Sequence, residues 1–231
     1  MPATARPSRQ KWAVISIAAV VLAAGLAAGV RYIRRHVLPA DYYQVEVQWQ
    51  AQRSRQLDGA IVFLGDSQTA GFATSSVAAR AENFGISGDL VDRAIWRIPK
   101  YRLNGAKAIV VEFGINDLWM HQTHRFEQRY EMLLALLPPG VPVYAMAVFP
   151  LAATGEAALE LHDTRQRIPA LNKQIAAACR QRPGCRYVDM TKALSGPDGY
   201  LRPEYAEADG VHLSAAGYRV WAAGLGPLLP E

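Results

Sequence analysis

The alternation of short apolar runs with longer amphipathic stretches, from residue 58 onward, constrains the fold of this chain most. A run of four to eight apolar residues suits a strand buried on both faces, and strands separated by helices form a parallel sheet. The runs predicted as strands are 60–64, a short one at 82–84, 107–113, 141–148 and 186–188. The stretches predicted as helices are 90–101, 126–137, 164–180 with a kink or split at Pro169, and 215–225 with Ser214 as its N-cap. We therefore expect about five parallel strands covered by helices on both faces, in the order 2-1-3-4-5.

Residues 12–30 form a long apolar segment of 19 residues without a charged side chain. As a helix the segment would extend about 28 Å, close to the hydrocarbon thickness of a bilayer. We predict a transmembrane anchor there, between a short basic N-terminus at 1–11 and a juxtamembrane linker at 31–57. A cleaved signal peptide is the alternative, because Ala27-Ala28-Gly29 could serve as a cleavage site. The length of the segment and the arginines that follow it favour the anchor.

The juxtamembrane linker is expected to contain a helix that lies on the domain at 58–231. Its apolar residues Tyr42, Val45, Trp49 and Leu57 are interspersed with Gln and Arg, which indicates an amphipathic helix.

The positive charge of the chain is concentrated before this domain. Six of the 25 Lys and Arg residues lie within 1–40, which contains no acid, so that 19 remain against 20 Asp and Glu in 41–231. A domain with this balance lacks the basic surface typical of nucleic-acid binding, and nucleic acid is not an expected partner.

Cys179 and Cys185 are the two cysteines of the chain. A helix ending near the first and a strand starting near the second would be joined by a tight turn, which can bring the Cα atoms within disulfide range. Such a bridge favours an oxidising compartment, and so a domain on the extracytoplasmic, periplasmic side of the membrane. The flanking charges alone do not settle this orientation. Two unrelated buried thiols are the alternative, and a metal site is not expected because no Cys or His partners cluster nearby.

Polar motifs follow three of the predicted strands and precede the last helix. In open α/β sheets, ligands bind just outside the carboxyl ends of the strands. The four motifs are Gly65-Asp66-Ser67, Ser87-Gly88-Asp89, Gly114-Ile115-Asn116-Asp117 and Asp209-Gly210-Val211-His212. Each alone is a common turn sequence, and it is their combination in this order that indicates a site. A serine at a strand-to-helix turn is exposed, which suits a nucleophile.

This combination resembles the SGNH, or GDSL, hydrolase superfamily. Ser67, Gly88, Asn116 and His212 match its four naming residues, and the resemblance covers residues 58–228, nearly the whole domain. It implies a three-layer α/β/α, flavodoxin-like fold and the hydrolysis of carboxylic esters through an acyl-enzyme. Gln68 departs from the family pattern, in which many members have Leu after the serine.

The resemblance also implies a role for each residue. Ser67 would be the nucleophile, His212 the base, and Asp209 the acid that orients the imidazole. The oxyanion hole would consist of the backbone N–H groups of Ser67 and Gly88 and the side-chain amide of Asn116. No cofactor and no metal is implied.

Other polar residues near the motifs have less specific interpretations. His121 and His124 are the alternative candidates to His212. They either lie at the rim of the pocket or are solvated loop residues. Asp66 and Asp117 are expected to bond loop backbone, and Asp89 to organise its own loop.

The substrate is not fixed by these residues. Trp119, Met120 and Phe149 follow strand ends and either line the pocket or pack in the core. Proximity to a bilayer fits a lysophospholipid or an acylated envelope glycan. Acyl transfer to a sugar or lipid alcohol would use the same residues, and a non-catalytic glycan- or lipid-binding module is the third interpretation.

Overall fold

A computed structural model of the chain describes residues 40–230. The sheet lies within the compact unit Tyr43–Glu231. The predicted anchor at 12–30 and the basic N-terminus at 1–11 lie outside the described residues. Within 40–230, no helix combines the length and the apolar character needed to cross a membrane.

Five parallel strands form a single sheet in this unit. They are β1 Ile61–Gly65, β2 Ala81–Gly85, β3 Ala108–Glu112, β4 Val143–Met146 and β5 Cys185–Val188. The spatial order is β2-β1-β3-β4-β5, which confirms the predicted number, direction and order of the strands. The strands β1, β3 and β4 are buried along their whole length, and this explains why their sequences are apolar except for Glu112 at the end of β3.

Helices of very different length precede, connect and follow the strands. They are α1 Ala40–Arg53, α2 Ser67–Ala70, α3 Val91–Arg97, α4 Ile115–Trp119, α5 Phe126–Ala135, α6 Glu156–Glu160, α7 His162–Arg165, α8 Ile168–Gln181, α9 Thr191–Leu194 and α10 Ala215–Leu225. The helix predicted at 164–180 is divided into α7 and α8, because Pro169 lies in the first turn of α8 and proline begins a helix more readily than it continues one. The predicted bounds and N-cap of α10 agree with the structure, where Ser214 Oγ accepts a hydrogen bond from Gly217 N at 3.3 Å.

Two layers of helix cover the sheet. On one face, the fully buried ring of Trp221 in α10 stacks on Phe72, with ring centroids 4.3 Å apart, and packs above alternate strand residues such as Phe63 and Val110. On the other face, α5 packs against both α3 and α8, and α8 contacts β4 and β5. The result is the three-layer α/β/α arrangement that the sequence predicts.

The helix expected before the domain is present as α1. Leu57, which follows it, is buried as predicted, but the face of α1 itself that was predicted to pack on the domain is wrong. Val45 and Trp49 are 59% and 47% exposed, whereas Val47 and Gln50 are buried. The physical reason is that the buried polar side chain has partners, since Gln50 Oε1 accepts hydrogen bonds from Arg97 Nη1 at 3.0 Å and from a tyrosine hydroxyl. An apolar stripe in the sequence therefore does not identify the buried face of this helix.

A disulfide joins Cys179 in the last turn of α8 to Cys185 at the start of β5, with Cα atoms 5.4 Å apart. Between them Gly184 has φ 74°, the left-handed conformation that lets the chain reverse direction tightly. The bridge fixes the amino end of β5, at the edge of the sheet opposite the carboxyl ends of the strands.

Candidate active site

Strands β1, β2 and β3 end at the same level of the sheet. Gly65 lies opposite Gly85 on one side and opposite Glu112 on the other. The segments that follow therefore emerge side by side at the carboxyl edge. Three of the predicted site residues lie in these segments: Ser67, Gly88 and Asn116.

The turn from β1 into α2 is tight and leaves no space for a larger residue. A Cβ at Gly65 would collide with the side chain of Thr69 in α2. Asp66 caps the helix, since its Oδ1 accepts a hydrogen bond from Gln68 N at 3.0 Å. This turn holds Ser67 as the first residue of α2, beyond the end of the strand.

Ser67, His212 and Asp209 form a continuous hydrogen-bonded chain, although 145 positions separate the first two in the sequence. The His212 Nε2 atom lies 2.8 Å from Ser67 Oγ, and Nδ1 lies 2.6 Å from Asp209 Oδ2. An ionised carboxylate only accepts hydrogen bonds, so the ring proton belongs on Nδ1 and Nε2 is free to accept the serine proton. Both the His212 and Asp209 side chains remain a little over one-third exposed, as a site open to substrate requires.

The loop that carries His212 is shaped by the second oxygen of Asp209. Asp209 Oδ1 accepts hydrogen bonds from Val211 N at 2.8 Å and from His212 N at 3.0 Å. Partial burial raises the pKa of Asp209, but the hydrogen bonds from the His212 ring and from these two backbone groups outweigh it and hold the pKa below its ordinary value. Asp209 is therefore ionised at neutral pH.

Of the residues predicted for the oxyanion hole besides Ser67, Gly88 lies in the loop after β2 and Asn116 in the first turn of α4, and the Asn116 amide is already engaged. Asn116 Nδ2 donates to Asp66 Oδ2 at 3.2 Å and to the backbone oxygen of Asp89 at 3.0 Å. Gly88 has φ 73°, a conformation that favours glycine. Within the part of the chain that the structure describes, the backbone N–H groups of Ser67 and Gly88 donate to no protein atom.

Two buried carboxyl groups lie beneath the nucleophile, and the sequence motifs indicate only one of them. Asp66 and Glu112 are both almost completely buried. Burial raises the pKa of each, and for Asp66 the neighbouring charge of Glu112 raises it further. Thr69 Oγ1 donates to Glu112 Oε2 at 3.2 Å. The pair is linked to the site through Asp66, which accepts the hydrogen bond from Asn116.

A buried arginine supports the loop after β2. Arg97 has no exposed surface, and its Nε donates to Asp89 Oδ2 at 2.8 Å. Its Nη2 donates to the backbone oxygen of Gly65 at 3.3 Å, next to the turn that carries the serine. Asp89 thus organises its loop, as the sequence suggested. No sequence motif pointed to Arg97, because a charged residue in an amphipathic helix is ordinarily solvated.

Asp117 links three helices behind the site. Its Oδ2 accepts a hydrogen bond from Val91 N at 3.2 Å, at the start of α3, and its Oδ1 lies 3.6 Å from Arg129 Nη1 in α5. Burial raises the pKa of Asp117 to about 7, although the hydrogen bond from Val91 and the charge of Arg129 act in the opposite direction. The carboxyl group is a structural link between elements, as expected.

The alternative histidines and the candidate pocket residues lie in surroundings different from those of the hydrogen-bonded serine, histidine and aspartate. His121 and His124 are exposed after α4, and Met120 is also exposed. Trp119 is partly buried at the end of α4. Phe149 is only 3% exposed and belongs to the core beneath α10, so that its position fits packing.

The fold and the hydrogen-bonded chain of serine, histidine and aspartate together have the form of an α/β serine hydrolase. Residues 63–220 match the sequence profile of the GDSL-like lipase/acylhydrolase family. The chain belongs to that family, and the resemblance inferred from the four motifs is confirmed.

Three known proteins show how the chain is related to others. It is 25% identical, over 71% of its length and 73% of the relative, to platelet-activating factor acetylhydrolase IB subunit alpha1 of Pongo abelii. A solved Streptococcus pneumonia structure, described as a platelet activating factor, superposes with a TM-score of 0.72 at 18% identity, over 88% of this chain and 99% of that one. The C-terminal catalytic domain of Streptococcus pneumoniae peptidoglycan O-acetyltransferase A superposes with a TM-score of 0.55 at 16% identity, over 75% and 97%. At these identities the two solved structures share the fold with this chain.

Proposed function

We propose that the protein is a serine hydrolase of carboxylic esters in which Ser67 is the nucleophile, His212 the general base and Asp209 the residue that orients it. The observation that carries the proposal is the unbroken hydrogen-bonded chain from Asp209 Oδ2 through the imidazole to Ser67 Oγ. Membership of an acylhydrolase family supports the same chemistry.

In the acylation step, Ser67 Oγ attacks the ester carbonyl carbon while His212 Nε2 takes the hydroxyl proton. The imidazolium that forms is stabilised by the ionised Asp209 carboxylate 2.6 Å from Nδ1. The tetrahedral intermediate collapses when the C–O bond to the alcohol breaks and His212 returns the proton to the leaving oxygen.

The negative charge on the substrate oxygen needs hydrogen-bond donors placed in advance. We assign these to the backbone N–H groups of Ser67 and Gly88 and to the Asn116 amide. Both N–H groups of Asn116 already have acceptors, so its donation to the oxyanion requires that the bond to Asp66 Oδ2, at 3.2 Å the longer of the two, is shared or released.

Deacylation repeats these steps with water as the nucleophile. His212 Nε2 takes a proton from water, the water oxygen attacks the acyl carbon, and the bond to Ser67 Oγ breaks with return of the proton to the serine. The free acid leaves and the site is restored. In both halves of the reaction, each proton transfer passes through His212.

We further propose that residues 12–30 anchor the chain in a membrane with the domain on the extracytoplasmic, periplasmic side. The uncharged segment and the Cys179–Cys185 disulfide support this location. The substrate would then be a lysophospholipid or an acylated envelope glycan. Recovery of the full chain from the supernatant of disrupted cells, without detergent, would contradict the anchor.

The decisive experiment compares the wild type with Ser67→Ala on a soluble aryl ester. Loss of the nucleophile should lower kcat by about 10⁶-fold, as when the serine is removed from other triads. Retention of the wild-type rate by the variant would refute the assignment of the nucleophile.

Product analysis in the same experiment separates the alternatives. With a sugar or lipid alcohol present, an acyl ester of that alcohol in place of the free acid identifies a transferase. Binding of an ester that is never cleaved identifies a non-catalytic module.

A further inference from the structure

The side chain that follows the serine reaches across the site to the loop that carries the histidine. Gln68 is only 3% exposed, and its Nε2 donates to the backbone oxygen of Val211 at 2.7 Å. Its Oε1 accepts a hydrogen bond from Leu213 N at 3.3 Å. Val211 and Leu213 are the two neighbours of His212, so one amide holds the main chain on both sides of the imidazole.

The backbone of Gln68 is fixed as firmly as its side chain. Its N–H donates to Asp66 Oδ1 at 3.0 Å, and its C=O accepts a hydrogen bond from Tyr218 Oη of α10 at 2.9 Å. The Tyr218 ring stacks on Phe72, with centroids 5.8 Å apart. The amide therefore projects from a rigid support, one residue away from Ser67.

The loop around His212 has internal bonds that fix its own shape. Asp209 Oδ1 accepts from the backbone N–H groups of Val211 and His212, and Glu207 N donates to the backbone oxygen of His212 at 2.8 Å. These bonds join the loop to itself. The Gln68 amide joins it to α2, the helix that begins with the nucleophile.

We propose that Gln68 is a positioning residue that sets the distance between Ser67 Oγ and His212 Nε2 by clamping the main chain on both sides of His212. The inference deepens the proposed ester hydrolysis and rests on it. A leucine at this position, as in the family pattern, could fill the space but could form neither hydrogen bond. A displacement of about 1 Å between reacting groups can lower a rate by about 10²-fold, so loss of the amide that ties the main chain beside His212 to α2 should slow the reaction.

A second buried amide in the chain provides a matched control. Asn172 in α8 also brackets the main chain, since Val148 N donates to its Oδ1 at 2.8 Å and its Nδ2 donates to the Val148 backbone oxygen at 3.0 Å. It is 7% exposed, and both of these hydrogen bonds go to the Val148 main chain rather than to the serine, the histidine or the aspartate. Asn172→Leu therefore removes a comparable buried clamp away from the reacting atoms.

The first arm of the experiment measures kcat, KM and the unfolding midpoint of the full-length wild type, Gln68→Leu and Asn172→Leu on a soluble aryl ester. Both substitutions should lower the unfolding midpoint. Only Gln68→Leu should lower kcat, by about 10- to 100-fold with KM changed by less than about twofold. A folded Gln68→Leu protein with the kcat of the wild type would overturn the inference.

The second arm uses Gln68→Glu, which keeps the shape of the side chain. An ionised glutamate can still accept from Leu213 N but has no proton to donate to the Val211 oxygen, whereas a protonated one can do both. The ratio of kcat in this variant to kcat in the wild type should be about 0.1 or less at pH 8 and rise as the pH falls. A ratio that does not change with pH would contradict the inference, even if Gln68→Leu cannot be folded.

The outcome also separates this inference from the proposed function. If Ser67→Ala hydrolyses the ester as fast as the wild type, both the proposed function and the proposed positioning role of Gln68 are wrong. If the wild type depends on Ser67 but both Gln68 variants keep the wild-type kcat, the function stands and the clamp alone is wrong.

Discussion

Asp209 uses each of its carboxylate oxygens for a different task. Oδ2 holds the imidazole through Nδ1, and Oδ1 holds the backbone of the loop that presents His212. An asparagine could preserve one of these contacts but not the other, because its amide nitrogen donates where the carboxylate accepts.

Asp209→Asn should therefore lower kcat by about 10³- to 10⁴-fold, because the imidazole would be held in the wrong tautomer. The unfolding midpoint should change little, since the amide oxygen can still accept from Val211 N. Steady-state kinetics with a soluble ester, together with thermal unfolding, checks both parts. An Asp209→Asn enzyme within tenfold of the wild-type kcat would show that Asp209 does not orient the base.

At the residue scale, the sequence predicted the residues that face the site but not those behind them. Ser67 and His212 occur in motifs whose polar character stands out at strand ends. Arg97 and Glu112 do not stand out, because a charged residue in a helix or at the end of a strand is ordinarily solvated. Their burial depends on partners from distant parts of the chain, and such pairings could not be inferred from this one sequence.

At the scale of elements, the strands were predictable because burial on both faces leaves a continuous apolar signal. Helix α1 was predicted with the wrong face, because its buried stripe includes Gln50. The hydrogen bonds from Arg97 and Tyr101 make the burial of this polar side chain tolerable. For the short helix α2, the sequence indicated a start at Ser67 but not the extent, because four residues carry no helical periodicity.

The Asp117 link between α3, α4 and α5 predicts a pH dependence of stability. Burial raises the pKa of Asp117 to about 7, from an ordinary value of 3.8. Between these two values the native state holds a proton that the unfolded chain has lost. The contribution of Asp117 to the free energy of unfolding is therefore greatest below pH 4 and decreases as the pH rises towards 7.

Asp117→Asn removes this titration while an amide oxygen can still accept from Val91 N. From pH 4.5 to pH 7.5, the free energy of unfolding of the variant should decrease less than that of the wild type. Urea unfolding at a series of pH values measures the two slopes. Equal slopes would contradict the raised pKa of Asp117.

At the scale of the whole molecule, the parallel sheet explains why residues far apart in the sequence share one site. Strands β1, β2 and β3 end in register, and the loop before α10 brings His212 to the same edge. The alternation of strands and helices predicted a parallel sheet, and the order of the strands was predicted as the flavodoxin-like one for such a sheet. The anchor at 12–30 remains a prediction, because it lies outside the described residues.

The most direct test of the nucleophile is to locate a covalent adduct on the intact chain. A fluorophosphonate probe should label the full-length wild type once, and peptide mass spectrometry should place the adduct on Ser67. Ser67→Ala should not react, and His212→Ala should react far more slowly because the serine has lost its base. An adduct on another residue, or labelling of Ser67→Ala at the wild-type rate, would show that the segments carrying Ser67 and His212 do not form the active site.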